Sequence, residues 1–140
     1  MKKRVIDASS LLLLIKGHGG KALETLKASS TIPLINYEIG NAIRTSTAIN
    51  NHINPAEAEI TLEKIHTGLE LMEIQRQETL KDSKKILETS LNYNLTYYGS
   101  AYLTAADDAG AILVTDDEHL ADAARKVNTT VLNANQLAIG

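Results

Sequence analysis

The chain has 140 residues, 44% of them hydrophobic, with only two prolines, and that composition excludes a disordered polypeptide. It has no cysteine, which excludes disulfides, thiolate metal sites and a cysteine nucleophile. A formal net charge of −3 excludes a surface that attracts nucleic acid everywhere, leaving room for a local basic patch.

The length suits one domain over residues 1–140 with a real core. The start, Met1-Lys2-Lys3-Arg4, followed by Leu11-Leu12-Leu13-Leu14-Ile15, briefly resembles a secretory leader. Asp7, Ser9 and Ser10 interrupt the apolar stretch, and no run reaches the roughly 18 residues that span a bilayer. The expectation is a cytoplasmic protein with no membrane partner.

Val5-Ile6, flanked by Arg4 and Asp7, reads as a short buried strand. Ser9-Ser10 is placed to cap a helix carrying the leucine run. Gly17-His18-Gly19-Gly20 reads as a break, and 21–28 as a helix with Ala22, Leu23 and Leu26 on one face. Residues 32–35 read as a second strand. Residues 37–49 read as a helix whose apolar side is Ile39, Ala42, Ile43 and Ile49. Asn54 and Pro55 signal the next helix start. That helix runs to about Thr67, with Ala58, Leu62 and Ile65 inward.

Residues 71–74 read as a third strand, and 78–92 as a helix with Leu80, Ile86, Leu87 and Leu91 apolar. A small-residue helix over 100–109 ends at Gly110, a fitting C′ residue. Residues 112–114 read as a strand, and Thr115-Asp116-Asp117-Glu118 has a capping-box spacing. Leu120, Ala123, Ala124 and Val127 line the helix that follows. Residues 130–132 read as the last strand, and Asn133 as the cap of a terminal turn. Strand–helix alternation predicts an α/β fold: a three-layer α/β/α sandwich around a central parallel sheet.

In such a sheet, residues just past the strands gather on one edge, where ligands bind. Asp7 follows the first apolar run, Glu38 the second, and Asp116-Asp117 the run that ends at Val114. Carboxylates brought together repel unless they share a proton or hold a cation, and hard cations take oxygen ligands. Ser9 is placed to orient Asp7. Glu38, Asn41 and Thr45 share one helix face. Each feature also has a plainer explanation. Asp7 caps the next helix, Glu38 complements a helix dipole, and one of the paired aspartates is itself a cap.

His18, His52, His66 and His119 have no metal-ligand spacing and read as surface residues. Gly17-His18-Gly19-Gly20 follows no strand, so it is not a dinucleotide fingerprint. Asp107-Asp108 read as solvated. Tyr93, Tyr97, Tyr98 and Tyr102 can stack on RNA bases, but packing is the simpler reading.

Four segments, in order, resemble the PIN-domain family: Asp7-Ala8-Ser9, then Glu38-Ile39-Gly40-Asn41, then Leu95 to Leu103, then Leu113 to Leu120. The nearest subgroup is the VapC-type toxin ribonucleases. The resemblance implies Mg²⁺- or Mn²⁺-dependent cleavage of an RNA substrate, a cognate antitoxin protein as partner, and a homodimer. It implies metal-holding roles for Asp7, Glu38 and Asp117, with Asp116 assisting, and orienting roles for Ser9, Asn41 and Thr115. Lys16, Lys21 and Arg44 flank the acidic motifs and are candidate phosphate contacts.

One position departs from the family pattern. The third acid of the family follows a tyrosine, and here Tyr98 is followed by Gly99. Loss of that carboxylate implies a weakened nuclease. The alternative is a catalytically inactive PIN module that binds RNA or a protein. A phosphoacceptor signalling domain, which also gathers acids at strand ends, is disfavoured because Asp7 stands alone after its strand.

Overall fold

The computed structural model describes residues 3–18 and 20–139. Five short strands form one parallel sheet: β1 (Arg4–Ile6), β2 (Ser29–Thr31), β3 (Glu73–Ile74), β4 (Ile112–Val114) and β5 (Val131–Leu132). Their spatial order is β3-β2-β1-β4-β5. Eight α-helices lie among the described residues: α1 (Ala8–His18), α2 (Gly20–Lys27), α3 (Ile35–Arg44), α4 (Pro55–Glu70), α5 (Leu80–Tyr93), α6 (Tyr97–Ala109), α7 (Glu118–Lys126) and α8 (Ala134–Ile139). A π-helical turn, Thr45–Ile49, extends α3.

Adjacent strand residues point to opposite faces of a sheet. Ile6 and Val114 enter one core, with α1, α2, α3, α4 and α8. Val5 and Leu113 enter the other, with α5, α6 and α7. All four are fully buried. Burying such a side chain contributes about 1.5–3 kcal/mol each. The expected α/β/α sandwich is therefore present.

The strand order reverses between β1 and β4. The chain winds β1-β2-β3 to one side of β1 and returns to place β4 and β5 on the other. That junction is the switch point of a doubly wound sheet, where the loops after the strands diverge and leave a crevice.

Several expectations need correction. The second strand is Ser29–Thr31, not 32–35. Its hydroxyls are satisfied inside the sheet: Ser30 Oγ donates to the Arg4 carbonyl at 3.0 Å, and Thr31 Oγ1 to that of Ile6 at 2.7 Å. Pro33 cannot donate to a ladder, and Ile35 opens α3 instead. The third strand is only Glu73–Ile74, since Leu71 closes α4. The small-residue helix begins at Tyr97 rather than 100. The glycine break shrinks, because α1 reaches His18 and α2 starts at Gly20; residue 19 lies outside the described residues.

Leu62 is exposed rather than inward, and Leu80, Leu87, Leu91 and Ile49, on the apolar sides of their helices, are exposed as well. Among the histidines, His18 is half-buried. Asp107 and Asp108 are not merely solvated, because Lys85 Nζ pairs with both carboxylates. No helix among the described residues is long and apolar enough to cross a membrane.

Candidate functional site

At the switch point stands Asp7, which follows β1 and is only 5% exposed. One carboxylate oxygen, Oδ1, accepts the Ser9 hydroxyl at 2.7 Å and the Ser10 N–H at 3.0 Å. The other, Oδ2, accepts the Thr115 hydroxyl at 2.5 Å. Asp7 is thus both the cap of α1 and a group held in one orientation by three donors. Burial nevertheless raises its pKa above the ordinary aspartate value, against those hydrogen bonds and with help from the nearby Glu38 charge.

Glu38 sits in the first turn of α3 and is half-buried. Its Oε1 is buried with no hydrogen-bond partner. Tyr102 approaches from α6, with a hydroxyl that is likewise buried and unpartnered. That hydroxyl lies near enough for Glu38, and more weakly Asp7, to push its pKa up beyond that of ordinary tyrosine, after burial as the first cause. It remains a neutral O–H. The Tyr102 O–H is thus the donor that faces the Glu38 carboxylate, short of good hydrogen-bond geometry, and a small shift or a ligand would satisfy the pair.

The structure therefore brings Asp7 and Glu38 together. The other acids are engaged differently. Asp117 is exposed and caps α7, its Oδ1 accepting the N–H groups of His119 and Leu120 at 3.0 and 3.2 Å. Its own N–H donates to Thr115 Oγ1 at 3.0 Å, so a single hydroxyl links the Asp117 backbone to the Asp7 carboxylate. Asp116 Oδ1 accepts the Ser10 hydroxyl at 2.5 Å and the Ala134 N–H at 2.9 Å, tying α1 to the start of α8. Ser9 Oγ also accepts the Asp116 N–H at 3.1 Å.

Asn41 is exposed one turn beyond Glu38, and its carbonyl accepts the Thr45 hydroxyl. Gly99 occupies the third position of α6, where Thr96 Oγ1 accepts its N–H at 2.9 Å. A Cβ there would meet Thr96 Oγ1 at 3.3 Å and Leu120 Cδ1 at 3.9 Å, next to the α7 start that Asp117 caps. Arg44 follows Asn41 by one turn. Lys16 lies eight residues down α1, about 12 Å along its axis, away from the crevice.

Among the described residues, no three His, Asp or Glu side chains are gathered into a group that could hold a metal ion. What is gathered is one buried aspartate, one half-buried glutamate with a free oxygen, and a shell of hydroxyls. Hard oxygen donors of this kind fit a divalent cation that keeps several waters. Tyr102 and Ser10 were not legible as site residues. Tyr102 lies 64 positions from Glu38, and Ser10 is distinguished only by its place beside Ser9.

No family model matches the chain. Over 116 residues it is 26% identical to Exonuclease VapC9 of Pyrobaculum aerophilum, spanning 83% of this chain and 81% of that protein. The crystal structure of PAE2754 from Pyrobaculum aerophilum aligns over 99% of this chain and 93% of its own, with a TM-score of 0.79 and 19% identity. The second likeness establishes a shared fold. The first makes the chain similar in sequence to a VapC protein.

Proposed function

We propose that the chain is a PIN-type ribonuclease of the toxin–antitoxin kind, using Mg²⁺ or Mn²⁺ and weakened by Gly99. The observation that carries this is the pair at the switch point: buried Asp7 beside Glu38, whose Oε1 has no partner. Similarity to Exonuclease VapC9 supports it.

Asp7 and Glu38 would hold the cation, with Asp117 as third carboxylate and Asp116 at the margin. When bound, Mg²⁺ or Mn²⁺ lowers the pKa of attacking water and stabilises charge developing on the phosphate. Ser9 and Thr115 fix the Asp7 carboxylate so that it needs no reorientation. Asn41 orients water or substrate from the exposed flank of α3. Tyr102 offers a neutral O–H at the floor of the pocket, beside Glu38. An antitoxin partner, a homodimeric state and a cytoplasmic setting belong to the same proposal.

A second function is favoured by Gly99 and by the lack of a three-acid group among the described residues. It is an inactive PIN module that binds RNA or a protein without cutting. Calorimetric Mn²⁺ titration beside cleavage of end-labelled single-stranded RNA separates the two. Slow, Mn²⁺-dependent cleavage that is lost in Glu38→Gln supports the nuclease. RNA binding with no Mn²⁺ heat and no cleavage supports the inactive module. Cleavage unaffected by Glu38→Gln or by chelation rejects the acid pocket as the reacting centre.

A further inference from the structure

The five tyrosines are the chain's entire aromatic complement. Three stand largely in water beside the acid pocket: Tyr37 is 79% exposed, Tyr98 58% and Tyr97 42%. A hollow of about 500 Å³ lies among Leu34, Tyr37, Glu38, Asn41 and Tyr98. A cleft of about 380 Å³ adjoins it, sharing Leu34 and Tyr98 and continuing past Tyr97 to Arg76 and Gln77. One groove thus runs from Glu38 over an aromatic rim to a polar end.

The polar end has defined hydrogen-bonding character. Gln77 Nε2 donates to the Ala101 carbonyl and the Thr104 hydroxyl, both at 3.0 Å, which leaves the amide oxygen as the free acceptor. Arg76 pairs with Glu78 through one guanidinium nitrogen and has further N–H groups to offer. Flat rings at the rim, an apolar floor and a mixed donor–acceptor end match an unstacked nucleobase. An apolar peptide helix would leave the amide and guanidinium buried and unpaired.

We propose that this cleft binds an unpaired base of single-stranded RNA, stacked on Tyr98, next to the phosphate that the acid pocket addresses. The proposal rests on the ribonuclease assignment above and adds a base-binding subsite to it.

The test is fluorescence anisotropy of a labelled eight-nucleotide RNA in Ca²⁺, compared with an abasic strand of equal length. The expected result is that the base-bearing strand binds at least about fivefold tighter, the lower end of the stacking range. Tyr98→Ala should abolish that preference and Tyr98→Phe keep it. Because Tyr98 is exposed, neither change threatens folding. Equal affinity for both strands overturns the subsite while leaving the ribonuclease assignment intact. No binding of either strand, with no cleavage, overturns the RNA assignment and the subsite together. A preference that survives Tyr98→Ala overturns the stacking role of Tyr98.

Discussion

Helices α5 and α6 start on the same residue type and diverge three positions later. Thr79 Oγ1 accepts the Asp82 N–H at 3.1 Å, and Thr96 Oγ1 accepts the Gly99 N–H at 2.9 Å. In α5 the Asp82 carboxylate returns the bond to the Thr79 N–H at 3.1 Å, closing a capping box. In α6 the returning side chain is missing. Boxes also close at the starts of α4 (Asn54 with Glu57) and α8 (Asn133 with Gln136), whereas α6, like α7, has the cap without the returning bond. Gly99 does not need its conformational freedom, because Gly110 is the only described glycine with positive φ. A glycine in a helix costs about 1 kcal/mol against alanine. Position 99 is therefore one that both helix capping and the acid edge would fill with a carboxylate, and neither does.

The sharpest way to use this contrast is Gly99→Asp. We expect tighter Mn²⁺ binding by calorimetry and RNA cleavage raised by about tenfold, the effect of ~1.4 kcal/mol at the reacting centre. No change in either quantity would show that a carboxylate at 99 turns back to Thr96 as Asp82 turns to Thr79, and that the site does not include it. Next in size, the double change Thr79→Ala with Asp82→Ala should cost about 1–2 kcal/mol in urea unfolding, and Thr96→Ala about 0.5–1, because only the first removes the bonds in both directions. Equal losses would mean the reciprocal bond contributes nothing.

Gly99→Ala should stabilise the protein by about 0.5–1 kcal/mol. Metal-free Gly99→Asp should gain less, since a further acid near Asp117 adds repulsion. A larger gain for Asp than for Ala would make position 99 a pure capping site like 82.

The smallest expected effect is in pH dependence, where the capping acid of α5 and the buried Asp7 beyond β1 have opposite signs. The Thr79 hydroxyl and N–H hold Asp82 below the usual aspartate pKa of about 3.9. Its contribution is complete above that value and is lost as pH falls through its lower folded pKa. Burial holds Asp7 above the usual value, so its contribution is complete below about 3.9 and is lost as pH rises through its folded pKa. Unfolding curves of Asp82→Asn and Asp7→Asn, each referred to the parent, should therefore diverge in opposite directions on acidification. Parallel curves would remove the burial argument for Asp7.

Much of the fold was legible because short apolar triplets without alternation mark strands covered on both faces, as at Val5-Ile6 and Ile112–Val114. The strand Ser29–Thr31 was not, since its hydroxyls are satisfied by carbonyls the fold supplies, those of Ser30 and Thr31 by the neighbouring strand and that of Ser29 by Thr25 in α2. Leu80, Leu87 and Leu91 recur at helical spacing, which tells that they share a face but not whether anything covers it. Asp7 was readable as an acid just past a strand; Glu38 was read as following a strand at 32–35, whereas it lies in the first turn of α3. Which of Asp116 and Asp117 would be engaged, and by what, depended on α7 and α8 starting where they do.

The bond from Thr115 to Asp7 spans 108 residues, and β1 pairs with β4 across a similar stretch. On the ribosome, Asp7 is made 108 residues before its hydroxyl partner. Until residues 112–115 emerge, β1 has only β2 beside it, and the crevice has one wall. A nascent chain thus carries Asp7 without its Thr115 partner while those 108 residues are added. The order of translation itself withholds the Thr115–Asp7 bond, and the β4 side of the sheet, until residue 115 has been made.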